Sequence, residues 1–458
     1  MINYFNNINL NILGKNSYFE IYIIIAYSLL FFSVGENIVN ISFDQNLLKF
    51  ENIFYIRSVS PYIILFINLI IIFKNKIHNT FKINPIILFF YIVILLQALG
   101  LYLSVNRDYL APCHFLIGSF ATLTTFNIII NSADKFIIKK ILNLTIIFFL
   151  LIVLIFIVQN PNISYGGGAI VFFDKQIYFL NSNGFSRYLV FIYILVLSNY
   201  FLTKKIFNLK FLLILFLISS LIFTYEGRVN IASILIMNMF IFIQSIKLKN
   251  KISIFLILIL VALLISNSLK NIRDSEHEIF SDKINLKKII NINQSTKRAL
   301  NIDGEYTMLD GYIKNVSSSI NNFSTGRFEK WNLIVDYKQK TINYIFGNGP
   351  EFDRLILMDS HQLWLNDAAS SIFYLYLCGG ILSLITLLIF VIYQLYLFYF
   401  ALIYTKDSKD VYFLICLKIF IFIGFRSLFE NSYASWSIDQ IIFILSGIYW
   451  NNYMIKKT

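Results

Sequence analysis

Long apolar runs divide this chain, and they constrain its fold more than any other feature. A helix needs about 20 apolar residues to cross the hydrocarbon core of a bilayer. A soluble fold of 458 residues has no room to bury a chain that is 58% apolar and only 14% charged. The sequence therefore predicts an all-α polytopic membrane protein with about 12 transmembrane helices. The runs fall at about 19–34, 59–73, 85–103, 114–131, 141–158, 187–203, 209–225, 229–246, 252–268, 368–404, 411–427 and 432–449.

Lysine-rich loops alternate with lysine-poor loops along the chain, which orients the predicted helices. Lysines concentrate in the cytoplasmic loops of membrane proteins, and an error of one helix in the count would break the alternation. Both termini are therefore expected in the cytoplasm. The lysines are Lys74, Lys76, Lys82, Lys135, Lys139, Lys140, Lys204, Lys205, Lys210, Lys247, Lys249, Lys251, Lys406, Lys409, Lys456 and Lys457.

One large hydrophilic segment interrupts the apolar runs, and the lysine pattern places it outside the cytoplasm. We therefore divide the chain into helices 1–9 (1–268), a large periplasmic loop between helices 9 and 10 (269–367), and helices 10–12 (368–458). The loop is nearly neutral, with 13 Lys and Arg against 12 Asp and Glu from Lys270 to His361. The net charge of +13 thus reflects topology, and no nucleic-acid partner is expected.

The absence of several well-known motifs argues against nucleotide-dependent and metal-dependent chemistry. The chain has no phosphate-binding G-x-x-x-x-G-K-[ST] loop, no D-x-D pair suited to a metal-bound nucleotide and no H-E-x-x-H motif. Its four histidines are scattered, and its three cysteines form no ligand cluster. We expect no metal and no cofactor. A lipid-linked substrate fits this layout because it reaches the outer face already activated.

Charged residues at the outer ends of predicted helices are the candidate site residues. Arg187 lies where a span begins, Arg228 lies in a tight Glu-Gly-Arg hairpin, and Arg426 and Glu430 flank the end of the eleventh span. The guanidinium group binds phosphate oxygens through two parallel hydrogen bonds. The alternative is that each arginine only anchors its helix at the interface. Lys418, in mid-span, is expected to snorkel or to pair within the bundle.

The outer segment contains three further signals. Residues 326–342 are amphipathic and predict a helix whose Trp331, Ile334 and Val335 face membrane or core. Gly347-Asn348-Gly349-Pro350 predicts a turn, either an ordinary loop or one whose amides bind an anion. His361 is a candidate general base because its pKa is close to neutral, although a surface-loop histidine is the alternative.

Four short motifs follow one another along the chain. They are Asn-x-Asn-Gly (181–184), Tyr-Glu-Gly-Arg (225–228), Gly-Arg-x-x-x-Trp (326–331) with Gly-x-Gly (347–349), and Arg-Ser-Leu-Phe-Glu-Asn (426–431). In this order and topology they resemble the O-antigen polymerase/O-antigen ligase superfamily of bacterial glycan assembly. The resemblance covers roughly 160–450, and the large outer loop before the last three spans matches too.

The resemblance implies a metal-independent glycosyltransferase that moves a glycan from polyprenyl diphosphate to an acceptor sugar hydroxyl. Arginines matching Arg228 and Arg327 would hold the diphosphate, with Arg426 and Arg187 assisting. The proton acceptor would be His361 or, failing that, Asp367 or Glu430.

The resemblance favours the polymerase branch of the superfamily. The ligase branch has an outer-loop histidine, usually followed by Asn, closer to a Gly-rich break. Here the Gly-rich break is predicted at Gly379–Gly380, within 368–404. His361 lies 18 residues before Gly379 and is followed by Gln. The expected localisation is the bacterial inner membrane. The expected partners are the lipid-linked glycan, the bilayer and a chain-length regulator. The alternatives are an O-antigen ligase, which joins glycan to lipid A-core, and a transporter of lipid-linked oligosaccharide.

Overall fold

The structure is a computed structural model in which helices form most of the described chain. The described residues are 17–33, 54–74, 84–104, 110–131, 136–159, 168–172, 175–180, 182–202, 209–224, 229–234, 236, 327–337, 341–353, 368–404, 410–434 and 436–455. The helices are α1 (Ser17–Ser33), α2 (Phe54–Lys74), α3 (Pro85–Leu103), α4 (Leu110–Asn131), α5 (Phe136–Gln159), α6 (Ser182–Leu202), α7 (Leu209–Thr224), α8 (Arg327–Asp336), α9 (Thr341–Phe346), α10 (Ser371–Tyr404), α11 (Val411–Arg426) and α12 (Ile438–Ile455). Helical turns are also present at 229–234.

Four of the described helices are long and apolar enough to cross a membrane. They contain Pro85–Leu103, Pro112–Asn131, Ile137–Gln159 and Ser371–Ala401. One face of α10 exposes large apolar side chains, including Leu388 and Ile389 at 60% and 64% exposure. An exposed apolar face of this length is costly in water and suits contact with lipid. The prediction of a helical membrane protein is confirmed at this level. The predicted span 252–268, most of 229–246 and the outer segment up to 326 lie outside the described residues.

Helix α12 occupies the centre of the bundle, where it packs against α3, α4, α5, α10 and α11. Its side chains are buried from Ile438 to Ile448. The predicted last span, 432–449, was displaced, since the helix runs from Ile438 to Ile455. The reason is local: the Ser437 hydroxyl accepts a hydrogen bond from the Gln440 amide at 3.1 Å, which is N-cap geometry. The described residues between α11 and α12, 427–434, 436 and 437, therefore form a loop before the helix.

A short β-hairpin, β1 (Gly168–Phe172) and β2 (Lys175–Leu180), lies between α5 and α6. Its strands pair antiparallel, with a register irregularity between Ile170 and Val171. The sequence analysis predicted only helices and missed this hairpin. The hairpin packs against α5 and leads directly into α6, which carries Arg187.

Helix α10 is kinked where a break at Gly379–Gly380 was predicted. Gly380 has φ +68° and ψ −172°, a conformation that interrupts the helical hydrogen bonds. The carbonyls of Leu377 and Cys378 instead accept the amides of Asn348 and Gly349, at 3.0 and 2.9 Å. The 347–350 turn is thus inserted against the kink, and these two amides bind backbone carbonyls. The anion-binding interpretation of this turn is therefore corrected for both amides.

The kink provides a test of this packing. We expect Gly380→Ala to lower thermal stability, because a Cβ there would lie 2.2 Å from the Ile345 carbonyl oxygen and φ is positive. Positive φ alone costs about 1–3 kcal/mol. Gly424→Ala, in α11, is the matched control: a Cβ there meets no heavy atom within 4 Å, so the variant should be neutral or more stable. Thermal unfolding of the purified proteins in detergent measures both. Equal stability of the two variants would contradict the kink contact.

Candidate functional site

The loop between α11 and α12, residues 427–437, brings together residues from distant parts of the sequence. It begins directly after Arg426 and ends two residues before Asp439. We call the end of the bundle that contains this loop the site end. The starts of α6 and α10 lie there too, because Arg187 pairs with Asp439 and the Ser371 amide donates to the Ser427 carbonyl at 2.8 Å.

A buried carboxylate joins two of the predicted arginines. Asp439 Oδ1 lies 3.1 Å from Arg187 Nη1, and its Oδ2 lies 3.0 Å from Arg426 Nε. The Ser432 hydroxyl donates a further hydrogen bond to Oδ2 at 2.8 Å. All three charged side chains are at most 5% exposed. Asp439 therefore links α6, α11 and α12 through charge-assisted hydrogen bonds.

The helical turns at 229–234 complete this cluster. Arg426 Nη1 donates to Asn230 Oδ1 at 3.0 Å, and the Asn230 amide donates to the Ser186 hydroxyl, next to Arg187. Asn230 follows the predicted site residue Arg228 by two positions. Arg228 itself lies outside the described residues. Asn230, which follows Arg228 by two positions, nevertheless lies at the arginine cluster.

The third arginine, Arg327, is held from the other side of the same loop. It begins α8, and its Nη2 lies 2.9 Å from Glu430 Oε1 while its Nε donates to the Phe429 carbonyl at 3.1 Å. The Glu430 amide in turn donates to the Arg426 carbonyl at 2.9 Å. Arg327 and Arg426 therefore flank one turn of backbone. In this position Glu430 orients Arg327, and its predicted role as a base stays a prediction.

The cluster has the chemistry of an anion site. Among the described residues, two guanidiniums and one carboxylate meet at Asp439. A guanidinium has five N–H donors, and Arg426 uses two of them, toward Asp439 and Asn230. Within the described residues, its remaining donors meet no protein acceptor. Such donors in a buried setting suit a phosphate oxygen.

The outer segment is tied to the same loop by a second buried carboxylate, Asp353. Its Oδ2 accepts the Ala368 amide and the Asn431 side chain, each at 3.0 Å, while Trp331 Nε1 donates to the Ala368 carbonyl at 3.0 Å. In α8, Ile334 is buried in the core and Val335 is 63% exposed, and facing the core or the membrane was the prediction for both. The contacts of Asp353 fix the start of α10 beside Arg327.

The remaining predicted site residues, His361 and Asp367, lie outside the described residues. Within the described residues, Tyr433 is a further titratable group in the loop. Burial raises the pKa of Tyr433 to about 12, so its phenol stays protonated near neutral pH and does not act as a base. Among the described residues no group of His, Cys, Asp and Glu side chains is arranged to hold a metal ion.

Sequence reasoning missed Asp439 and Asp353. A signal for Asp439 was present: it is the one acidic residue in the predicted span 432–449, and an ionised group in such a run is expensive unless it is paired. Thirteen residues separate it from Arg426. Asp353 gave no such signal, because it lies in a mixed polar segment and its partners, Ala368 and Asn431, are distant in sequence.

Lys418 pairs within the bundle, as one of the two sequence interpretations had it. Its Nζ donates to Ser198 Oγ of α6 at 2.9 Å, and both side chains are buried. Phe191 and Phe422 meet edge to face, with ring centroids 5.4 Å apart, between this pair and the arginines along α6 and α11. The α6–α11 interface therefore contains two polar layers separated by an aromatic layer.

The Asp439 cluster predicts a large stability effect. We expect Asp439→Ala to destabilise the protein by about 3–5 kcal/mol, because removing one partner leaves buried charge uncompensated. Glu20→Ala breaks the exposed Glu20–Lys140 pair, whose side chains are 27% and 51% exposed, and should cost at most about 1 kcal/mol. Unfolding of both variants in the same detergent measures the difference. A loss for Asp439→Ala no larger than that for Glu20→Ala would argue against a buried cluster.

The comparisons with known proteins leave the site to be interpreted from its geometry. No protein-family model matches the chain, and no curated protein or solved structure does so either.

Proposed function

We propose that the protein is a surface-polysaccharide polymerase that transfers a glycan from polyprenyl diphosphate to a sugar of a lipid-linked repeat unit. The observation that carries the proposal is the convergence of Arg187, Arg327 and Arg426 on one short loop at one end of a bundle of apolar helices. A substrate with a diphosphate group and a long apolar chain matches both features. The lysine pattern predicts that the site faces away from the cytoplasm, and the resemblance implies that this is the periplasmic face of a bacterial inner membrane.

In this proposal the arginines neutralise the leaving group. The acceptor hydroxyl attacks the anomeric carbon, and the bond from that carbon to the diphosphate oxygen breaks, so negative charge grows on the diphosphate. Preorganised donors aimed at growing charge supply the largest share of catalysis in many enzymes. Arg426 is preorganised by Asp439 and Asn230, and Arg327 by Glu430 and the Phe429 carbonyl. Arg228 and Arg187 are also assigned to the diphosphate-binding residues.

Substitution of the arginines tests the proposal. In a host whose chromosomal copy is deleted, Arg327→Ala and Arg228→Ala should each abolish long-chain glycan on a gel while the protein level stays normal. Arg327 is the sharper choice because its side chain is 13% exposed, so its loss disturbs packing less than loss of Arg426. Lys140→Ala, which removes an exposed cation far from the loop in sequence, is the control and should leave the glycan pattern unchanged. A normal long-chain glycan pattern in both arginine variants would contradict the proposed function.

The same gel separates the polymerase from a ligase. Loss of a polymerase leaves lipid capped with a single repeat, whereas loss of a ligase leaves no capped lipid and polyprenyl-linked polymer accumulates. The deletion strain is therefore expected to retain the single-repeat band. If the deletion strain contains no capped lipid, the protein is a ligase and not a polymerase.

A transporter is the second candidate, and the buried Lys418–Ser198 pair favours it. Transporters hold ionisable groups near the bilayer midplane, and Lys418 is buried in the middle of α11. Within the described residues no carboxylate lies within ion-pair distance of Lys418. A polymerase needs this lysine only for packing, so Lys418→Met should preserve polymer length, whereas a transporter should lose function. Movement of fluorescent lipid-linked oligosaccharide across vesicles that contain the purified wild-type protein, abolished in Lys418→Met, would establish the transporter.

A further inference from the structure

A second set of polar groups lies beside the arginine cluster and takes no part in the assignments above. His114, near the start of α4, is 9% exposed, and its Nδ1 is 3.3 Å from the Tyr62 hydroxyl. The opposite ring nitrogen, Nε2, is buried and meets no hydrogen-bond partner among the described residues. A buried nitrogen without a partner is costly, so its presence calls for a ligand or a functional reason.

Trp436 faces the same place. Its ring lies edge-on to the His114 ring with centroids 5.0 Å apart. The ring also fills the space beside Gly118, where a Cβ would come within 2.2 Å of it. Trp436 is fully buried, and its indole N–H, like His114 Nε2, meets no acceptor in the described part of the chain. Two adjacent aromatic rings thus each present an unsatisfied nitrogen.

The backbone at Trp436 is strained. Its φ is +54°, in the left-handed region that bulky residues rarely adopt. The Trp436 amide donates to Gln440 Oε1 at 2.7 Å, which helps to hold this conformation. Strain of this kind persists where the surrounding structure enforces it, and it is concentrated at functional sites. Here it directs the indole toward α4.

The arginine cluster is adjacent to these rings. Trp436 and Asp439 are three residues apart, so their Cα atoms are separated by at most about 11 Å. Tyr62, which contacts the other side of His114, is 44% exposed. His114 therefore lies between the exposed Tyr62 and the first turn of α12, which contains Asp439. This places it at the same end of the bundle as Arg187 and Arg426.

We propose that His114 and Trp436 form the subsite for the acceptor sugar hydroxyl, with His114 Nε2 as the atom that receives its proton. In this assignment Nδ1–H donates a hydrogen bond to the Tyr62 hydroxyl, which leaves the lone pair on Nε2. The Trp436 N–H donates to a second sugar oxygen. As the acceptor oxygen bonds to the anomeric carbon, its proton moves to Nε2, and the electron pair of the broken bond leaves with polyprenyl diphosphate. This inference rests on the proposed function and assigns the base to His114 instead of His361.

The test separates catalysis from packing by measuring both in the same variants. His114→Phe keeps an aromatic ring and removes the unsatisfied nitrogen, so the purified protein should be at least as thermally stable as wild type. Base assistance is worth about 10²–10⁴-fold in rate, so polymer formation in the deletion host should fall by that factor. His114→Gln should show the same loss. Phe115→Leu is the control: Phe115 packs on the same Trp436 ring, at 6.3 Å, without a polar atom, and should keep normal polymer.

Trp436→Phe provides a second readout. It removes the N–H and keeps the ring, so it should raise the acceptor concentration needed for half-maximal rate more than it lowers the maximal rate. Membranes from the deletion host, loaded with labelled lipid-linked repeat unit from that host, measure this split. A proportional loss of both quantities would contradict a donor role for the indole.

The outcomes distinguish this inference from the proposed function. If wild type forms polymer and His114→Phe forms it equally well, the base assignment is overturned and the polymerase stands. If both His114 variants fail to fold, the ring serves packing and the assignment is likewise overturned. If the wild-type protein forms no polymer and its melting temperature does not respond to inorganic pyrophosphate or farnesyl diphosphate, the proposed function itself fails.

Discussion

The buried carboxylate of Asp439 is the interaction on which the arrangement at the site end depends. Two guanidiniums brought close together in the interior repel each other, since unit charges 4 Å apart interact by about 4 kcal/mol at an effective dielectric constant of 20. One carboxylate oxygen toward Arg187 and the other toward Arg426 offset this repulsion. Because these residues belong to α6, α11 and α12, the electrostatic requirement also determines how three helices meet.

The kink in α10 has a comparable role for the outer segment. A straight helix would satisfy its own carbonyls and offer nothing to the 347–350 turn. Because Gly380 interrupts the helix, the carbonyls of Leu377 and Cys378 are available to Asn348 and Gly349. The outer segment is thereby attached to the bundle by backbone hydrogen bonds. This attachment, together with Asp353, fixes the position from which Arg327 reaches Glu430.

The sequence predicted the class of the fold and the residue types of the site, but it did not predict the pairing. Apolar runs and glycines determine local structure. The helices up to α7 and the break at Gly380 could therefore be predicted, as could the positions of the arginines at helix ends. The pairing of Asp439 with Arg187 was not predictable because the two residues are 252 positions apart, and periodicity carries no information on such contacts. The start of α12 was displaced because a serine N-cap overrode the apolar pattern. The hairpin was missed because its strands are short and follow a glycine run, without a clear alternation.

The three described arginines differ in side-chain exposure. In the proposed function, this difference determines which arginine a diphosphate contacts first. Arg327 is 13% exposed, whereas the side chains of Arg187 and Arg426 are 4% and 5% exposed. In the proposed function, the diphosphate would therefore meet the more exposed Arg327 before it reaches Arg426. Charge interactions strengthen as water is excluded, so the inner contact is the stronger one. In the proposed function, Arg327 therefore contributes mainly to substrate affinity, and Arg426, which Asp439 holds in place, mainly to stabilisation of the leaving group.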